Sequence, residues 1–235
     1  MPFLRDEYGW KARAVPVYLA LAPLILIVPV LVPGAMQIPL GGLTAVVFAP
    51  LAYLAGQIGA DFGKRLEADL WTKWGGPPAT RFLRHSNNEF NSDTRDRVHE
   101  KLRSLGLTVP SEAQEVENGS LATQRYDACI EELVRRTRDQ SRFPMVYRNL
   151  TDYGFRRNML GLRSAAIVVA VGSASILVAI GLNLIQSGDR PLAAVALAIA
   201  LGLLFSWTLW VSEEAVKLSA DRYARALLEG ALSLG

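Results

Sequence analysis

The sequence predicts an all-α, polytopic membrane protein with four transmembrane helices in two hairpins and a helical cytosolic domain. Three observations carry this. Residues 14–60 contain no Asp, Glu, Lys or Arg, and residues 164–211 contain only Asp189 and Arg190. Each apolar block is long enough for two spans of about 20 residues. Each is divided near its middle by turn residues, Pro33-Gly34 and Pro39 in the first and Ser187-Gly188-Asp189-Arg190-Pro191 in the second. Charge segregation on this scale excludes a soluble single-core domain, a disordered chain and a secreted disulfide scaffold.

The spans fall at roughly 14–33, 38–60, 164–186 and 191–211. The N-terminus is no signal peptide, because Arg5-Asp6-Glu7 mixes signs and the apolar run continues well past a leader's length. Pro16, Pro23 and Pro29 each remove a backbone donor from span one, which predicts a bent helix. Orientation follows from basic residues at the span ends: Lys11 and Arg13, Lys64 and Arg65, Arg156, Arg157 and Arg163, then Lys217, Arg222 and Arg225. The short turns carry only Arg190, so both termini and the central segment are expected in the cytoplasm. Trp10, Trp71, Trp207 and Trp210, with Arg156 and Arg157, are expected at the cytoplasmic membrane interface, and Trp74 lies close to it.

Small residues recur every four positions at Ala52-Gly56-Ala60, Ala166-Ala170-Ala174 and Ala194-Ala198-Gly202-Ser206. Such stripes let helix backbones approach closely and predict packing within the chain or homo-oligomerisation. No Asp, Glu, His, Lys or Arg lies in any span core, and Asn183 and Gln186 sit at an outer end. A proton pump or ion-coupled transporter needs such a residue, so both are disfavoured.

The expected domains are 1–60 (tail and first hairpin), 61–163 (cytosolic), 164–211 (second hairpin) and 212–235 (C-terminal amphipathic helix). Residues 61–74 extend span two until Gly75-Gly76-Pro77-Pro78 stops it. A short helix follows near 78–85. Ser92-Asp93-Thr94 caps a helix that Gly106 ends, and Ser111-Glu112-Ala113-Gln114 forms a capping box. Residues 120–140 place Ala122, Tyr126, Cys129, Ile130, Leu133 and Thr137 on one face. Residues 144–158 form a helix leading into span three. The tail 213–232 lines up Val216, Ala220, Tyr223, Ala224, Leu227 and Ala231, an apolar stripe that requires a partner.

No Walker loop, GxSxG, HExxH or clustered metal-ligand motif is present. Catalytic residues, metals and cofactors are therefore not expected, and the chain does not read as an enzyme. Asp127 and Glu131 stand four apart, but Glu131–Arg135 and Glu132–Arg136 read as ordinary helix ion pairs. The single cysteine, Cys129, reads as a buried apolar residue.

Arginine is the informative residue, 20 of the 25 basic side chains. Its planar fork suits carboxylate and phosphate. Trp74, Arg81 and Arg84 in WTKWGGPPATRFLR, with Arg138, Arg142 and Arg148 further on, form the expected ligand-binding set. The partners expected are the lipid bilayer, further copies of the chain, and a small anionic, phosphorylated ligand or a cytosolic protein. The net charge of +3 is too small to argue for nucleic acid.

Trp74-Gly75-Gly76-Pro77-Pro78 with Arg81 and Arg84, and Tyr153-Gly154-Phe155-Arg156-Arg157-Asn158, resemble motifs of a family of small bacterial integral membrane proteins with no assigned activity. The resemblance implies four spans and a bacterial inner-membrane location. The architecture, a membrane hairpin plus a cytosolic sensor, is also similar to membrane effectors of antiviral nucleotide-signalling systems. Two functions are expected from these readings. One is a ligand- or partner-responsive protein whose cytosolic domain controls an oligomeric membrane region, as effector or channel. The alternative is a non-catalytic anchor for a cytosolic protein.

Overall fold

Pro16 sets the problem that the first element must solve. It has no N–H for the carbonyl four residues earlier, that of Ala12. The backbone there is a π-helical turn, Gly9–Ala14, which passes into α1, Val15–Leu31. Asn158 is buried, and its Nδ2 donates to the Ala12 carbonyl at 2.7 Å. Pro23 and Pro29 lie inside α1.

The structure is a computed structural model and describes residues 8–32, 42–186 and 189–234, with backbone alone at 42–52. The remaining helices are α2 (Gly42–Trp74), α3 (Pro78–Leu83), α4 (Ser92–Ser104), α5 (Glu112–Glu117), α6 (Gly119–Arg136), α7 (Pro144–Gly181), α8 (Arg190–Leu209) and α9 (Glu213–Ala231). The fold is all-α among the described residues. Gly9–Leu31, α7 and α8 are each long and apolar enough to cross a membrane. The expected second span overlaps α2. Its first residues, the turn at 33–41, and Ser187-Gly188 lie outside the described residues.

Local chemistry sets the helix ends. After α2, Gly75 and Gly76 have φ of +79° and +122°, and their N–H groups close onto Thr72 O and Trp71 O. This is a Schellman ending, which needs the left-handed backbone that glycine adopts freely. Asn183 does the same after α7, at φ 62°, with Leu184 N–H reaching Ala179 O. Span three therefore ends at Gly181, short of the expected 186. Asn91 caps α4, one residue before the expected Ser92, and Ser111 and Gln114 form the expected capping box. α6 stops at Arg136, not 140, because Asp139 Oδ1 instead accepts from Ser141 and Arg142 in the turn before Pro144.

Packing gathers the chain into two compact units, residues 1–66 with 154–215, and residues 67–153 with 216–235. In unit one α1 packs on α8. One cluster holds Val17, Ala20, Met159, Leu162, Ala166 and Trp207, and another holds Ile27, Val30, Leu177, Ile180 and Ala196. Leu24, Ile25, Val168, Val195, Phe205 and Leu209 face outward, an apolar exterior suited to lipid.

The small-residue stripes divide by role. Ala166, Ala170 and Ala174 are buried within unit one, whereas Ala194, Ala198 and Gly202 face outward. Gly56 is buried beside the backbone of Arg13 and Ala14, and the side chain of Ala52 lies outside the described residues. α2 and α7 touch backbone to backbone: a Cβ on Gly161 would stand 2.7 Å from Gly63 N.

Unit two is built on α6. Its face of Ala122, Tyr126, Cys129 and Leu133 packs with Phe82, Leu83, Val98 and Leu102, and α9 adds Ala224, Leu227, Leu228 and Ala231. The apolar stripe of the tail thus finds its partner in the central segment of the same chain. Cys129 is buried, and that burial pushes its thiol pKa up.

Candidate anion-binding site

The arginines expected to act together separate into three surroundings within unit two. Arg81 comes from α3, whose start Pro77-Pro78 fixes. It donates to Asp221 Oδ1 at 3.0 Å, Glu89 Oε2 at 3.1 Å and the Trp74 carbonyl at 3.3 Å. Its guanidinium also lies over the Phe82 ring. Two carboxylates already neutralise it, so it works as a tie between α3 and α9. Burial raises the Asp221 pKa, and Arg81 opposes that shift. Trp74 is half-buried at the end of α2.

Arg84 lies in a different cavity, of about 320 Å³, with Glu115, Thr123 and Tyr126. It donates to Thr123 Oγ1 at 3.0 Å. Glu115 accepts from the His85 main chain at 2.9 Å, from Ser86 Oγ at 3.2 Å and from Tyr126 OH at 2.9 Å. Burial raises the Glu115 pKa, but these donors outweigh it and hold the carboxyl below the usual range. An ionised carboxylate inside the cavity disfavours an anion there. Beneath it His99 is buried, and its Nε2 donates to Leu83 O at 2.8 Å. Burial lowers the His99 pKa to about 4, so the ring is neutral at pH 7.

Arg142 defines the third surrounding. It lines a groove of about 450 Å³ between the start of α7 and the second half of α9, with Arg222, Arg225 and Glu229. Phe143, Met145 and Val146 form its apolar side. Arg225 is fixed: it donates to Glu89 O at 2.6 Å and stacks over Phe82 and Phe90. Arg142 lies over the Phe143 ring at 5.4 Å. Arg142 and Arg222 are exposed, and neither has a carboxylate within ion-pair distance among the described residues. A size of several hundred Å³, apolar walls and convergent unpaired charges are properties of a ligand site.

Comparison with known proteins adds nothing to this geometry. Scans of family models, curated proteins and solved structures gave no match. The resemblance drawn from WGGPP and YGFRRN rests on those motifs alone.

Arg138 and Arg148 are exposed and do not line the groove. Sequence reasoning missed Arg222 and Arg225 as site residues and counted them as a basic flank of the last span. Their spacing on α9 with Glu229 was visible, but their approach to Arg142 was not. It also missed Arg95, which is buried and donates to the carbonyls of Arg84 and Asn87. Glu132, not Glu131, takes both Arg135 and Arg136, and Asp127 accepts from Thr80 Oγ1 at 2.6 Å.

The expected interface residues of unit one also separate. Trp10 and Trp210 are exposed, and Arg156 stacks over Trp210 at 5.8 Å. Trp207 is fully buried in the core. Its carbonyl and that of Thr208 accept from Arg163, which therefore satisfies the C-terminal carbonyls of α8. Arg157 is half-buried beside Asn158. In unit two Trp71 is half-buried.

Proposed function

We propose that the chain is a four-span, multi-pass protein of the bacterial inner membrane with both termini and unit two in the cytoplasm. In this reading a small anionic ligand, or an acidic segment of a partner, binds unit two and thereby controls an oligomeric membrane region, as an effector that opens or disrupts the bilayer. One observation carries the reading: Arg142 and Arg222, without carboxylate partners, meet over a groove whose two walls are α7 and α9. α7 runs without a break from that groove into its own apolar stretch, and α9 follows directly on α8. A ligand bridging the two walls favours one arrangement of these helices over others by its differential affinity.

Reporter fusions at Gly34, Gly106, Ser187 and the C-terminus are expected to read outside, inside, outside, inside. An outside reading at Gly106 removes the cytoplasmic sensor. In liposome leakage or cell toxicity at matched expression, Arg142→Lys and Arg222→Lys impair function because they keep charge but lose the fork. Arg156→Lys and Arg157→Lys are nearly silent if those residues serve lipid headgroups through charge alone. Unchanged activity in both groove variants leaves the anchor reading in its place.

A further inference from the structure

We infer that the groove takes a phosphate monoester carried on an apolar body. This rests on the anion site proposed above and names its ligand class. The charge balance is the first argument. Among the side chains that line the groove, Arg142, Arg222 and Arg225 outnumber the one carboxylate, Glu229, by two, while Asp139, outside the lining, has its Oδ1 occupied by Ser141 and the Arg142 main chain. A phosphate monoester at neutral pH carries about −1.5 to −2. A carboxylate or sulfonate leaves half the surplus unmatched, and a triphosphate exceeds it.

Geometry supplies the second argument. Arg225 is held by Glu89 O and by two phenyl rings, so it gives a fixed positive wall. Arg142, laid on the Phe143 ring, and Arg222 offer exposed forks to phosphoryl oxygens from opposite walls. α7 also begins inside the groove at Pro144. The N–H groups of Met145 and Val146 precede its first intrahelical acceptor and add donors and a positive dipole end.

The third argument is the remaining surface. Phe143, Met145 and Val146 line the groove beside the charges, which suits an aryl or acyl body better than free inorganic phosphate. A soluble phosphorylated metabolite and a phospholipid with a monoester headgroup share this chemistry.

The test uses the full chain in phosphatidylcholine nanodiscs, with phenyl phosphate, inorganic phosphate and benzoate as probes in titration calorimetry. Phenyl phosphate is expected to bind about tenfold tighter than either of the others, the weight of one further strong contact. Arg142→Lys and Arg222→Lys should each weaken it about tenfold, and Arg148→Lys should not. Melts of the unliganded variants check that each is folded. Nanodiscs containing phosphatidic acid separate the sources. Loss of phenyl phosphate binding there, dependent on the same two arginines, assigns the site to lipid, and unchanged binding assigns it to a soluble ligand. Equal affinity for benzoate and phenyl phosphate overturns the phosphate class while the anion site stands. No binding of any probe, or binding indifferent to both Lys variants, overturns both.

Discussion

Gly161 and Gly172 lie on the same helix, and alanine is expected to act at them with opposite sign. Removing a helical glycine gains about 1 kcal/mol in propensity at either position. At Gly172 a Cβ meets nothing within 4 Å, so that gain is realised. At Gly161 the new carbon would stand 2.7 Å from Gly63 N, 2.9 Å from Gly63 Cα and 2.9 Å from Phe62 C. These are short of ordinary van der Waals separation by roughly 0.6–1 Å. The obstacles are backbone atoms of α2, which cannot rotate away as a side-chain end would. α2 and α7 must separate, at a cost of roughly 1–3 kcal/mol for overpacking. The propensity gain is common to both variants, so the difference between them isolates this steric cost. At about 2–4 °C per kcal/mol for a chain of this size, Gly161→Ala should melt roughly 2–12 °C below Gly172→Ala in the same detergent. Melting temperatures within about 1 °C of each other would refute the backbone contact.

Acid should destabilise unit two. His99 has a folded pKa of about 4 against 6.5 unperturbed, so the unfolded chain takes up its proton first as pH falls. Its contribution is complete above pH 6.5 and is lost between there and about 4, roughly 2–3 kcal/mol with allowance for screening. Glu115, held low, adds a loss of the same sign below its ordinary range, while Asp221, held high, acts oppositely. Denaturation midpoints across this window should fall in the parent and fall less in His99→Gln, and a flat parent profile counts against a buried neutral ring. Leucine at Ala198 or Gly202 should reduce association measured by light scattering and leave the melt intact, because both face outward. Leucine at Ala170, which is fully buried, should lower the melting temperature instead, and the reverse assignment would contradict the described packing.

The parts legible in the sequence are those decided by neighbours along the chain. Gly75-Gly76-Pro77-Pro78 stops a helix wherever it occurs, and Ser111 and Gln114 cap each other over three residues. The face of α6 could be read from period alone, since Ala122, Tyr126, Cys129 and Leu133 repeat at helical spacing. The candidate site was not legible to the same degree, because its electrostatics are settled by distant residues. Arg81 was expected to bind a ligand, but Asp221, 140 residues later, stands beside it. Arg142 lines the groove, but Arg222 and Arg225 come from α9, and their place in the sequence suggested only a basic flank. Trp207 shows the same limit. Proximity to a span end suggests an interface, yet Val17, Ala20 and Met159 enclose it.

The bond from Asn158 to Ala12 also has a consequence for the order in which the chain can be completed. The partners are 146 residues apart. At about 5–20 residues per second, roughly 7–30 s of synthesis separate them. During that interval Pro16 gives the Ala12 carbonyl no α-helical partner, and the Asn158 amide has not yet been made. The first long apolar helix is therefore made well before its own beginning is finished. A nascent chain arrested before position 158 should hold that helix in a looser, more protease-accessible state than the completed, released chain.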